Sequence, residues 1–219
     1  MQVLTINDDI SLQLYNGPVG ISFSGGADSS LLAYLAMTQL SVPIHLITTV
    51  YSEKEILHEG IARDVAKKLI EITGHTDVHH HFNRQPDAAT VFRTSYDSAP
   101  GTTTLFDLCD KLLYQDGIVN SILTGVTANP PSVVLEDFNN SNAILRRRAD
   151  VKRPLKVKSG WYNPQTNLNK QDICRLYDKH GILDTVFPLT LSCTETSTRV
   201  HCGTCWWCEE REWGLQFNS

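Results

Sequence analysis

Four cysteines near the C-terminus, Cys193, Cys202, Cys205 and Cys208, run C-x8-C-x2-C-x2-C. Thiolates at such spacings can surround one tetrahedral zinc ion at about 2.3 Å each. Gly203, inside "HCGTC", lets the backbone turn tightly and direct amides at the sulfurs. An iron–sulfur cluster is the rival, because C-x2-C-x2-C also opens a ferredoxin-type run. The Cys-Pro that completes that run is absent and Glu209 and Glu210 stand there instead, so zinc is favoured. A closed four-thiolate site would be structural, pinning the C-terminal tail. The other two of the six cysteines, Cys109 and Cys174, sit in apolar helical patterns and read as core thiols. His79, His80 and His81 look ligand-like, but successive strand residues face opposite ways, so the three do not converge on one ion.

A second chemical signal lies near the N-terminus, in "ISFSGGADSS" (21–30). Gly25 and Gly26 can take positive φ and turn several backbone N–H groups toward one point, and a following helix adds its positive end. Ser24, Ser29 and Ser30 supply neutral hydroxyls, while Asp28 can cap the helix or help hold magnesium. A Gly-Gly turn alone would mean only a turn. The whole S-G-G-x-D-S string, after a strand and before a helix, points to a phosphate. The lysine of a Walker loop is missing.

These residues need a scaffold, and the chain supplies alternating strands and helices. "VGISFS" (19–24) alternates as a strand, and "SSLLAYLAMTQL" (29–40) is helical. "PIHLITTVY" (43–51) is a second strand. Ser52 and Glu55 form a capping box opening a helix to about Ile72, closed by Gly74. "TDVHHHF" (76–82) is a third strand, 102–116 a helix, and "GIVNSILTGV" (117–126) a buried strand. The reading is α/β, an open and mainly parallel sheet with flanking helices. Ligands in such sheets bind outside the carboxyl ends of the strands. The expected organisation is a nucleotide-binding domain over 1–185 and a metal-binding segment over 186–219.

The opening string resembles the PP-loop of the N-type ATP pyrophosphatase superfamily. That resemblance explains the missing lysine, since such loops cradle the pyrophosphate of ATP while the α-phosphorus is attacked. It implies ATP and magnesium, with the nucleoside against Thr48, Thr49, Val50 and Tyr51. It also places Gly125 beside the nucleotide. The stretch "NPQTNLNKQDICRLYDKHGILDTVFPLTLSCTE" (163–195), followed by "HCGTCWWCEERE", resembles the C-terminal half of the 7-cyano-7-deazaguanine synthases. Lys170 matches that family's helix-start lysine, an ammonium suited to a phosphate. The resemblance implies catalytic roles for Asp28 and Lys170, and nucleotide contacts from Ser24, Gly25, Gly26, Asp28, Ser29, Ser30, Thr49, Tyr51, Gly125 and Lys170. It implies zinc on Cys193, Cys202, Cys205 and Cys208. The middle departs from the family: "SAPGTTTLFDL" (98–108) and "GVTANPPSVVLEDF" (125–138) replace the segments that recognise the deazapurine.

Three functions compete. The first is ATP-dependent conversion of 7-carboxy-7-deazaguanine and ammonia to the nitrile through adenylated intermediates. There Asn129 and Thr127 would read the base edge, Phe106 would stack on it, and Arg93 or Arg146–Arg148 would meet its carboxylate. The second is a tRNA-modifying PP-loop enzyme of thiolase or lysidine type. The third is a non-catalytic nucleotide-binding partner.

A net charge of −5 over 219 residues argues against broad nucleic-acid binding. Against that, Arg146, Arg147, Arg148, Lys152, Arg153, Lys156 and Lys158 crowd one stretch. It reads equally as a solvated loop or edge strand and as an anion-binding face. No apolar run approaches roughly 20 residues and no secretory leader is visible, so a cytoplasmic location without membrane contact is expected. Partners are expected to be small molecules; a homodimer is left open, and nucleic acid is disfavoured.

Overall fold

The computed structural model describes residues 1–50, 56–84, 105–131, 134, 152–193 and 198–217. It begins with a hairpin of β1 (Gln2–Asn7) and β2 (Ile10–Leu14), antiparallel with Leu4 facing Leu12. Then come β3 (Val19–Ser22), α1 (Ala27–Gln39), β4 (Ile44–Val50), α2 (Ile56–Thr73) and β5 (Val78–Arg84). A short α3 (Leu105–Asp110) continues as a π turn over Lys111–Gln115 and leads to β6 (Ser121–Thr124). The remainder is β7 (Lys156–Lys158), β8 (Trp161–Tyr162), α4 (Lys170–Lys179) and α5 (Trp206–Leu215).

The main sheet has the order β5-β4-β3-β6-β8-β7 and is parallel except for β7. Its central strands are apolar on both faces, as a sheet covered by helices requires. Val19, Ile21, Ile44, Leu46, Ile122 and Leu123 are all fully buried. Burying each such side chain contributes about 2 kcal/mol relative to leaving it in water. One face packs on α1, α2, α4 and the N-terminal hairpin, and α1 is buried on nearly every side. The other packs on Cys109, Leu112, Val119 and Trp161.

The neighbours of β3 are β4 on one side and β6 on the other, so the strand order reverses at β3. The crevice outside its carboxyl end is therefore the predicted ligand position. The turn from β3 into α1 lies there, and so does Gly125, just after β6.

The strands and helices read from the sequence up to β6 are present, with two differences. The β1–β2 hairpin was not anticipated, although Leu4 and Ile6 alternate against Leu12 and Leu14 as a half-buried hairpin does. The helix expected over 102–116 is a short α-helix followed by a π turn. The end of the basic stretch is the edge strand β7, exposed at Lys156, Val157 and Lys158. The Ser52/Glu55 capping box lies outside the described residues. No helix among the described residues is long and apolar enough to cross a membrane.

Candidate functional site

The turn between β3 and α1 is shaped by one glycine and three serines. Gly25 has φ +76, and a Cβ there would lie 2.9 Å from Ala62 Cα on α2. Only glycine meets both conditions. Gly26 does not take the positive φ expected of it: it is the N-cap of α1 at φ −77, without a side-chain cap. It borders a cavity, and a Cβ there would lie 3.2 Å from Ser24 Oγ and 3.5 Å from Leu191 O.

Around the turn the Ser24 and Ser29 hydroxyls lie 3.2 Å apart, and the Gly26 N–H donates to Ser24 Oγ at 3.2 Å. Ser30 is fully buried and donates to Gly26 O at 2.8 Å. Its hydroxyl belongs to the helix start rather than to the cavity wall. Gly125 is needed for close approach, because a Cβ there would lie 2.8 Å from Ser29 N.

The cavity, of ≈ 390 Å³, is lined among others by Ser24, Gly26, Asp28, Ser29, Gly125 and Lys170. Helix α4 delivers Lys170. Asn169 and Asp172 form a reciprocal capping box that starts this helix, so Lys170 occupies its first turn. Tyr177, on the same helix, donates to Ala27 O at 2.7 Å and fastens α4 to the beginning of α1. Lys170 Nζ then reaches Asp28 Oδ1 at 2.5 Å and lies 3.7 Å from Glu210 Oε2 of α5. Burial alone would lower this ammonium's pKa, but the two carboxylates more than offset that and hold it above the usual lysine value. Thr127 Oγ1 also faces Asp28, at 3.5 Å from Oδ2.

The four cysteine sulfurs lie within 4.8 Å of one another. Cys202 and Cys208 are 3.8 Å apart, Cys193 and Cys205 3.9 Å, and Cys205 and Cys208 3.5 Å. Bonds of about 2.3 Å to a single tetrahedral ion place thiolates about 3.8 Å apart, so this donor set fits one ion. The Thr204 amide and hydroxyl, with the Cys205 amide, hold the Cys202 thiol down to about 6. Cys205 is the N-cap of α5 and Cys208 lies in its first turn. Cys193 also lines the cavity, so the cysteine cluster and the cavity share a wall. Cys109 and Cys174 are buried thiols, each pushed up to about 12 by burial.

Other predicted residues stand apart. Thr49 Oγ1 is buried without a hydrogen-bond partner at the end of β4. Thr127 and Asn129 are buried. Tyr51, Arg93, Arg146–Arg148 and the Phe106 side chain lie outside the described residues. His79 and His81 share a face, where His81 Nε2 is 2.8 Å from His45 Nδ1, while His80 turns the other way to Thr48. Sequence reasoning missed His58, Ser192 and Trp207 on the cavity wall and Glu210 behind it. Trp207 carried a signal, an aromatic inside the cysteine run. Glu210 carried none.

Comparison with known proteins agrees with the two motifs. Residues 133–219 match the family model described as "Queuosine biosynthesis protein QueC", and residues 11–100 match the asparagine synthase model. Both models describe members of the PP-loop ATP pyrophosphatase superfamily, as the opening loop implied. The QueC match starts well before the 163–219 stretch that carried the resemblance. Among solved structures the chain is similar to the U34-tRNA thiolase NcsA from Methanococcus maripaludis with its [4Fe-4S] cluster. Identity is 15% and the TM-score 0.45, over 97% of this chain and 68% of that one. At that distance the likeness assigns no role.

Proposed function

We propose that this PP-loop protein is an ATP-dependent carbon–nitrogen ligase that activates the carboxylate of 7-carboxy-7-deazaguanine and, with ammonia, carries it to the nitrile. The observation that supports it is the meeting of the β3–α1 turn, Lys170 and Cys193 on one cavity. Lys170 and all four cysteines fall within the QueC match.

In this reading the amides at the start of α1 and the hydroxyls of Ser24 and Ser29 hold the leaving pyrophosphate. Amides at a helix start are suited to an anion. Lys170 supplies positive charge where phosphate oxygens gain negative charge, and in a dry site such a charge is worth more than in water. Asp28 supplies carboxylate oxygen to magnesium, a hard cation that takes oxygen ligands beside phosphates. Thr49 and Tyr51 stand toward the nucleoside. The acceptor carboxylate attacks the α-phosphorus; the bond to pyrophosphate breaks and an acyl adenylate forms. Ammonia displaces AMP to give the amide. A second ATP then adenylates the amide oxygen with release of pyrophosphate, and that oxygen leaves with AMP as the nitrogen loses its two protons, giving the nitrile.

Zinc is the proposed ion on Cys193, Cys202, Cys205 and Cys208. The sulfur separations support it, because an iron–sulfur body between the thiolates would hold them further apart than one ion does. It would neutralise thiolate charge and hold the segment after 186 against the nucleotide-binding domain.

The test is incubation with ATP, ammonium and 7-carboxy-7-deazaguanine, followed by mass spectrometry. AMP, pyrophosphate and the nitrile are expected, and a simple aromatic acid of similar size should yield none of them. If unmodified tRNA stimulates ATP cleavage and the deazapurine does not, a tRNA-modifying role replaces this one. The exposed lysines of β7 would then be its first docking candidates.

A further inference from the structure

Lys170 is held from two sides. Toward the cavity stands Asp28, which lines it; behind stands Glu210, on the helix that begins inside the cysteine run. The Lys170 and Glu210 side chains are each only 4% exposed while Asp28 is 22% exposed, so the ammonium stands between one buried carboxylate and one that opens to the cavity. The same helix touches the lysine again one turn later. A Cβ on Gly214 would lie 2.5 Å from Lys170 Cγ and 3.1 Å from Lys170 O. Glu210 and Gly214 are four residues apart and so share one face of α5. That face is laid along the first turn of α4.

Besides its packing on α4, two further features bear on the placement of α5. Its middle is tied by Arg211, whose guanidinium donates to Thr190 Oγ1 at 2.8 Å and to Phe187 O at 2.7 Å. Its first turn carries Cys205 and Cys208, which face the other two thiols and would be joined to them by any ion that the four share. Glu210 lies between these ties.

We infer that Glu210 is a positioning residue for Lys170, and that through it the ion on the four cysteines sets the strength of triphosphate binding. The inference rests on the ATP reading above and adds a coupling that reading does not require. When phosphate enters, Lys170 must part from Asp28, leaving that carboxylate for magnesium. Glu210 keeps the ammonium partnered on its far side during this exchange, and the ion keeps Glu210 in place. Without Glu210, the ammonium has only Asp28 and stays there, competing with both phosphate and magnesium.

The test is a four-corner calorimetric measurement of magnesium α,β-methylene-ATP binding. It uses wild-type protein and Glu210→Gln, each with its ion and after chelation, with circular dichroism and elemental analysis on every sample. Coupling energies between sites typically correspond to about 5- to 150-fold in affinity. Chelation should weaken wild-type binding about tenfold, and Glu210→Gln should weaken the ion-loaded protein by a similar factor. Chelation of the variant should then change affinity less than about twofold.

Gly214→Ala, which crowds the lysine stem without changing charge, should also weaken binding and provides a second route if Glu210→Gln does not fold. Equal chelation effects in both backgrounds would overturn the coupling. Tighter binding by Glu210→Gln would overturn positioning, because it would mean that Glu210 acts only as a repelling charge. Absence of analogue binding by ion-loaded wild-type protein would instead overturn the ATP reading, and this inference with it.

Discussion

The β3–α1 turn and the cysteine segment border the same cavity but obtain their shapes differently. The turn is fixed by the chain itself. Gly25 is forced against Ala62, Gly125 against Ser29, and the serines bond one another and the helix start. In the proposed phosphate role such a turn would be a preorganised anion cradle. In the cysteine segment the four thiols face one another, beside the core packing of Cys193 and Cys208 and the Arg211 bonds to Thr190 and Phe187. An ion on these thiols would make part of the segment's folding energy binding energy. In the proposed reading one wall of the site is built by packing alone and the other by packing and coordination together.

Removing the ion breaks this comparison most severely. Strong chelation, or Cys208→Ser, should abolish stoichiometric metal and lower the thermal midpoint by about 10 °C. Hydrogen exchange should rise over 198–217 and stay low in β3 and α1. Elemental analysis checks the ion, and stoichiometric iron with brown absorbance would replace zinc with a cluster. Uniform exchange over both regions would mean that the two walls are one cooperative unit.

Lys170→Met tests the point where the walls meet. It leaves Asp28 and Glu210 facing each other without the ammonium, a loss of about 3–5 kcal/mol for a broken buried pair. ATP cleavage should fall about 100-fold or more. Denaturant melts and pyrophosphate release measure the two effects separately.

The two loop glycines sharpen the description of the packed wall. Gly25→Ala should cost about 2 kcal/mol, because φ +76 strains any side chain and Ala62 leaves no room. Gly26→Val should cost less stability than Gly25→Ala, since φ −77 suits any residue and the nearest atom to a Cβ, Ser24 Oγ at 3.2 Å, belongs to a side chain, yet abolish nucleotide binding by filling the cradle. Unchanged affinity in calorimetry would remove Gly26 from the phosphate site.

The smallest effect belongs to the far edge of the packed half. Burial holds His45 and His80 down to about 4. The unfolded chain titrates near 6.5, so between those values it binds more protons than the folded one. Stability is therefore lost as pH falls from about 6.5 toward about 4. Scanning calorimetry should show a lower midpoint at pH 5 than at pH 7, and replacing both residues with glutamine should flatten that slope.

Local features were the legible ones. The S-G-G-x-D-S string, the cysteine spacing and the strand–helix alternation depend on neighbours in the chain, and the sequence alone determined them. The family resemblance placed Lys170 at a helix start, and the structure gives the local reason, a capping box of Asn169 and Asp172. The tertiary structure decided what those features meet. "CEERE" looks like an acidic, solvated helix turn, yet α5 packs on α4 and buries Glu210 beside Lys170, forty residues earlier in the chain. Gly26 was expected at positive φ, but only Gly25 must turn, because α2 presses on it and not on its neighbour. His45 was not read as a neighbour of the histidine run, because pairing β4 with β5 decides which histidines stand together. Contacts of this kind join residues far apart in sequence, and no local periodicity records which distant side chain the packing will bring within a few ångströms.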